Sequence, residues 1–312
     1  MIRSPDFIHH HLRNSTGGVI IETGGIDHTG IYVEMRGGSL EIHEFDFGFR
    51  GLVWSSCNGL VLASEFKNYH THSVVNPLTK QQVFLPPYSN DIGYHPHFAL
   101  AFVEATMEYK VACMIDVSPL FARTHIAVLT VGVDKVWRYI DIKHLSLETR
   151  LAYFSVKPIV TGGYVHWISR TFVLTMNVET ESFRLFPVPR TRPEHRMILP
   201  MGSSLSLVYG ELSREVWEMN PRTGEWIKLL TFDLESHIFQ DCFPHLCQMV
   251  PYGWLQVREV LLFIPTGFPR CSVAYNIKTR EMQPFELDPV GPLALQYHVF
   301  APHVNSLVRL EG

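Results

Sequence analysis

The sequence predicts an all-β protein, a β-propeller of about six blades. Three observations carry this. A hairpin module with one polar corner recurs in register along the chain. Strand-like runs follow one another through short turns, with no amphipathic helix between them, so neighbouring strands pair antiparallel. An antiparallel sheet of that many strands must curl, split or repeat radially, and radial repetition leaves only short edges.

The organising module is Trp54 to Pro87, which reads as three strands: an apolar run entered through Gly59, the branched stretch His72 to Asn76, and Gln81 to Leu85 ended by Pro86 and Pro87. Between the last two lies Asn76-Pro77-Leu78-Thr79. An Asn at the first turn position bonds its side chain to the backbone two residues on, and Pro at the second presets φ for a type I turn. The same phrase recurs at Asn177, Asn220 and Asn276, each followed three residues on by Thr180, Thr223 or Thr279, as Asn76 is by Thr79. An apolar residue precedes each Asn (Val75, Met176, Met219, Tyr275), and Leu85, Phe186, Leu229 or Phe285 stands nine residues after it. Upstream of each corner runs an apolar strand: Gly59 to Ala63, Gly162 to Ile168, Ser204 to Tyr209, and Val260 to Pro265. A fifth, degraded copy holds Trp137 and Ile140 but lacks the Asn. A sixth is the hairpin turning on Gly37-Gly38, a dipeptide suited to the positive φ that tight hairpins need.

Between these units, Tyr88 to Pro96, Lys143 to Phe154 and Arg190 to Pro200 read as loops, the second with room for a short helical turn. Glu235 to Gly253 is the least regular segment, and Tyr297 to Val308 supplies the closing strand.

Ser56-Cys57-Asn58-Gly59-Leu60, then Asn76-Pro77-Leu78-Thr79, then Leu85-Pro86-Pro87 resemble the F-box-associated, kelch-like propeller domain of plant F-box proteins. The closing phrase with Asn305-Ser306-Leu307-Val308 is similar to that family's final strand. The resemblance runs from about Ile2 to Val308 and, with the module boundaries, implies a propeller over residues 19–310. The opening phrase Arg3-Ser4-Pro5-Asp6-Phe7-Ile8, continuing to Leu12, resembles the last helix of an F-box. Ser4 caps it, Pro5 fits the first turn, and Asp6 suits the positive helix end. Phe7, Ile8 and Leu12 then share an apolar face. Residues 1–14 are therefore expected to be a residual F-box helix, with Pro5, Phe7, Ile8 and Leu12 as what remains of an adaptor-binding surface. Since the chain opens at Met1, most of that motif is expected to be missing.

The resemblance implies a substrate-recognition protein of a Skp–cullin–F-box ubiquitin ligase, binding a target protein through the propeller. The alternative is a stand-alone protein-interaction propeller that has lost the F-box and joins no ligase. The sequence names neither the target nor the residues that bind it.

Composition sets the context. Hydrophobic residues make up 46% of 312, ample for a large core, and charged residues 18%. A net charge of −4 gives no field favouring nucleic acid. No apolar run is long enough to cross a membrane as a helix, and the N-terminus has no signal-peptide core. Five cysteines at irregular spacing suit a reducing compartment, so cytoplasm or nucleus is expected.

Motifs for catalysis, phosphate binding or cofactors are absent, so no enzyme, cofactor or metal is expected. His237, Asp241, Cys242, His245 and Cys247 cluster in the irregular segment, but their spacing fits no common zinc site. His9, His10 and His11 would point in different directions on a helix. Arg190, Arg192, His195 and Arg196 read as a solvated basic loop. Trp54, Trp137, Trp167, Trp217, Trp226 and Trp254 read as core between blades, with Trp254 open to an exposed loop position.

Overall fold

The computed structural model describes residues 17–22, 30–45, 51–65, 71–88, 96–115, 125–150, 152, 154, 157–189, 196–211, 213–233, 249–265, 271–286, 299–306, 308 and 310. Their strands form six four-stranded antiparallel sheets, and the fold is a six-bladed β-propeller with almost no helix.

The first sheet holds β1 (Gly17–Glu22), β2 (Gly30–Arg36) and β3 (Ser39–Phe45). The second holds β4 (Gly51–Cys57), β5 (Leu60–Glu65), β6 (His72–Asn76) and β7 (Gln81–Phe84). The third holds β8 (His97–Val103), β9 (Glu108–Ile115), β10 (His125–Thr130) and β11 (Arg138–Ile140). A single-turn helix, α1 (Leu147–Arg150), follows, with the Thr149 N–H donating to the Ser146 hydroxyl. The fourth sheet holds β12 (Ile159–Thr161), β13 (Tyr164–Ile168), β14 (Phe172–Asn177) and β15 (Phe183–Pro187). The fifth holds β16 (Arg196–Met201), β17 (Ser204–Tyr209), β18 (Ser213–Met219) and β19 (Trp226–Asp233). The sixth holds β20 (Met249–Gln256), β21 (Val260–Pro265), β22 (Cys271–Asn276) and β23 (Met282–Glu286). The last strand, β24 (Val299–Val304), returns to the first sheet and lies beside β1.

The chain divides into two compact units. One carries β4 to β15 and the tail from His303. The other carries β1 to β3, β16 to β23 and the start of β24. In the first, the period-two alternation of a strand lets one sheet serve two cores. Phe98 and Leu100 of β8 pack with Leu60, Leu62 and Val74. Ala99, Ala101 and Val103 of the same strand pack with Val165, Trp167 and Met176. In the second unit β21 does the same: Leu261 and Phe263 join Val216 and Phe232, while Val260, Leu262 and Ile264 join Ile21 and Val33. A strand covered on both faces reads as an unbroken apolar run rather than an alternating one, as Leu60 to Ala63 of β5 does. Burying each such aliphatic side chain contributes about 1.5–3 kcal/mol.

Four sequence expectations change. The Trp54–Pro87 module has four strands, not three, because Trp54 to Cys57 end β4. Arg190 to Pro200 is not loop throughout, since Arg196–Met201 forms β16, with Pro200 opposite Leu205. Met249 to Gly253 belongs to β20, with Pro251 opposite Phe263. Proline is tolerated in both because each is the edge strand of its sheet, where one side needs no ladder bond. Trp254, on β20, is accordingly buried, its Nε1 donating to Ser206 Oγ at 2.8 Å. β1 begins at Gly17, two residues ahead of the expected start.

Candidate interaction surface

Each recurring Asn ends, or directly follows, the third strand of its sheet and folds its side chain into the turn. Asn76 Oδ1 accepts from the N–H groups of Leu78 and Thr79 at 2.9 and 3.2 Å. Asn177 does so from Glu179 and Thr180 at 2.9 and 3.1 Å, Asn220 from Arg222 and Thr223 at 2.8 and 3.3 Å, and Asn276 from Lys278 and Thr279 at 2.9 and 3.1 Å. The connection is longer than a two-residue turn: Asn76 pairs with Gln81 across four loop residues. The fourth of these takes positive φ in every copy, at Lys80, Glu181, Gly224 and Arg280. Only Gly224 occupies it with the residue suited to that region. Gly37 and Gly38 both take positive φ, as a primed hairpin turn requires.

The four corners differ in what surrounds them. Asn76 is fully buried, whereas Asn220 is exposed. Asn76 Nδ2 donates to the carbonyls of Ser306 and Val308, at 3.0 and 2.6 Å. The tail from His303 thus lies along the β4–β7 sheet. His303 Nδ1 pairs with Ser56 Oγ at 2.8 Å, and the Leu310 N–H donates to Gln81 Oε1 at 3.2 Å. Val308 is buried among Leu60, Leu85 and Tyr88. At Glu181 the corner is tied to the neighbouring sheet instead. Arg138 donates to both its carboxylate oxygens at 2.6 and 2.7 Å, and Lys110 donates to Glu181 and to the Val178 carbonyl. These cations, Arg138 first, hold the Glu181 carboxyl below the usual carboxylate range. In the second unit Arg258 forms an ion pair with Glu218 on β18, at 2.5 Å.

Several of the described buried polar groups bond to one another. Trp54 Nε1 donates to Ser64 Oγ, which pairs with His72 Nδ1 at 2.6 Å. His166 lies between Thr161 and Thr175 hydroxyls at 2.8 and 2.9 Å, and burial pushes its imidazole down to about 3. Burial pushes His303 down to about 4. It pushes the Cys57 thiol up to about 12 and Cys113 well above its ordinary value, so neither supplies a thiolate nucleophile. Arg214, buried beside Phe263, donates to the Met249 carbonyl at 2.6 Å, and burial lowers it to about 10.

Among the described residues, Glu34, Glu41 and His43 bring ligand-type atoms within 4.8 Å of one another on β2 and β3. Glu34 and Glu41 face each other directly across the pair. His43 lies 3.5 and 3.4 Å from the two carboxylates, and Arg36 lies 3.7 Å from Glu41.

Large apolar side chains reach the surface on the first unit. Phe84, Val136 and Tyr139 are each more than half exposed. Residues beside them are joined: Trp137 Nε1 donates to the Pro86 carbonyl at 3.0 Å, and the Tyr88 and Tyr139 hydroxyls are 3.3 Å apart. Exposed aromatic groups on a rigid support suit protein contact.

Pro5, Phe7, Ile8 and Leu12, the histidines at 9 to 11, Arg190, Arg192, His195 and the His237–Cys247 cluster lie outside the described residues. Of the basic loop, Arg196 is seen on β16, partly buried. Trp167 is wholly buried, and Trp54, Trp137, Trp217 and Trp226 partly so. The tail clasp at Asn76 escaped sequence reasoning, because a turn motif does not show which distant segment comes to lie over it.

A family model described as F-box associated beta propeller domain matches residues 41–294, well over half of the chain. A comparison with curated proteins finds no match.

Proposed function

Because the chain belongs to the F-box associated beta propeller domain family, we propose that it is an F-box-type substrate-recognition protein. In this reading the propeller holds a target protein, and an F-box presents that target, through a Skp-type adaptor and a cullin ligase, for ubiquitin transfer. The match over 41–294 carries the reading. The exposed Phe84, Val136 and Tyr139 support it as contact residues, since binding groups sit well on loops and edges of a rigid scaffold. The inert thiols and the paired buried histidines support a binding role rather than catalysis. The free cysteines Cys57 and Cys113 fit work in the reducing cytoplasm or nucleus.

Immobilised chain incubated with a Skp-type adaptor at micromolar concentration tests the ligase part. Retention of the adaptor by the chain extended with a complete F-box is the expected result, with weak or no retention by residues 1–312 alone. Failure to retain it, both with this chain and with the chain extended by a complete F-box, would sink the ligase role.

A further inference from the structure

The hairpin of β2 and β3 gathers one imidazole and two carboxylates on a single face. Glu41 and His43 stand two residues apart on β3 and share a face, and Glu34 of β2 lies directly opposite Glu41. The ligand-type atoms of the three lie within 4.8 Å of one another. His43 Nε2 is 3.5 Å from Glu34 Oε1 and 3.4 Å from Glu41 Oε2. Both separations exceed the ordinary N–H···O range of about 2.7–3.2 Å. They match instead the edge of a tetrahedron, since ligands about 2.0–2.2 Å from one zinc ion stand about 3.3–3.5 Å from each other.

Burial adds an independent argument. Glu34 is only 7% exposed, although a second carboxylate faces it across the strand pair. Like charges so placed repel, and burial makes the repulsion costlier unless a cation stands between them. Arg36, its side chain 66% exposed, approaches Glu41 at 3.7 Å. With His43 neutral, the form in which an imidazole binds metal, these four side chains carry one negative charge in excess. The frame is fixed at its turn. Gln283 of β23 donates to the Gly38 carbonyl and accepts from the Leu40 N–H, both at 3.1 Å.

We propose that Glu34, Glu41 and His43 form a zinc-binding site. Imidazole nitrogen with carboxylate oxygen suits zinc, whereas magnesium and calcium favour oxygen alone. Three protein ligands fill three corners of the tetrahedron and leave the fourth to water. The bound ion draws the opposed carboxylates together and fastens β3, the edge strand, to β2. The inference goes beyond the ligase reading and holds whether or not the chain joins a ligase.

The test uses the full chain, stripped of metal with a chelator and titrated calorimetrically with zinc chloride. The chain has 17 histidines and five cysteines, so the site is read as a difference between variants. The unaltered chain is expected to bind one more equivalent of zinc than His43→Ala, and magnesium chloride to give no such difference. The His43 side chain is half exposed, so this variant should fold as the unaltered chain does. His43→Lys keeps a cation beside both carboxylates but offers no ligand at neutral pH, and should lose the same equivalent. His43→Cys supplies a ligand again and should regain it. Glu41→Gln should weaken zinc at this site at least tenfold. Zinc bound equally by the unaltered chain and His43→Ala, or retained by His43→Lys, overturns the proposal. So does an unchanged affinity in Glu41→Gln, or magnesium bound as tightly as zinc.

Discussion

Asn76 and Asn220 close equivalent turns with the same pair of side-chain-to-backbone hydrogen bonds, yet one is wholly buried and the other exposed. The difference lies in the other end of the amide. In Asn76 both N–H groups are spent on the tail. Among the described residues, no contact of that kind is seen at Asn220. One motif therefore has two roles. Everywhere it fixes a hairpin, and once it also fastens a segment 230 residues away. The energetic weight of a repeated residue follows its neighbours rather than its motif.

Asn76→Ala is the strongest way to break this contrast. It removes four hydrogen bonds and strands two buried carbonyls, a loss of about 4 kcal/mol in urea unfolding, against about 1 kcal/mol for Asn220→Ala. Equal losses would mean that the tail contributes nothing.

Acid comes next. His303 in the clasp and His166 in β13 both have folded values, about 4 and about 3, below the ordinary 6.5. The unfolded chain therefore binds protons first. The stability present above about pH 6.5 is lost as pH falls toward those folded values, at about 1.4 kcal/mol per pH unit for each histidine. Between pH 6.5 and 4 each removes about 3 kcal/mol. His303→Gln should flatten half of that slope in unfolding titrations, and an unchanged slope would exclude His303 as a source.

Gly59 and Gly163 offer a finer comparison. Their φ angles are 83° and 81°, so alanine carries the same backbone strain at either site. A Cβ at Gly59 meets the tail, whereas at Gly163 the nearest atom is the Phe102 carbonyl oxygen at 3.6 Å. Gly59→Ala should cost about 2 kcal/mol or more and Gly163→Ala about 1 kcal/mol, both read from thermal unfolding. The smallest effect is expected of Gly224→Ala. Lys80, Glu181 and Arg280 bear side chains at the matching position, so the cost should stay within about 1 kcal/mol. A larger loss would show that the fourth corner is held differently.

Much of the fold was legible because second strands are buried on both faces and announce themselves as apolar runs, as Leu60–Ala63 does, and because the Asn corner marks the end of the third. The first strands were harder. β12 is three residues long and falls in no module of the sequence, β16 contains Pro200 and reads as loop, and β20 contains Pro251 and Gly253 and opens in the least regular segment. They survive as strands because they lie at a sheet edge, a position that sequence alone does not assign. Trp254 was open to an exposed reading for the same reason, since the Ser206 hydroxyl that receives its N–H lies 48 residues away.

By itself the sequence determined the module: a polar side chain that bonds its own next residues needs only local chain, and so Asn76, Asn177, Asn220 and Asn276 declare their turns without a structure. Tertiary structure alone decided which of those amides would also clasp a tail, where Gly59 would be indispensable, and which sheet the last strand would complete. Those outcomes rest on contacts between residues far apart in the chain, where short-range bonding preferences carry no information.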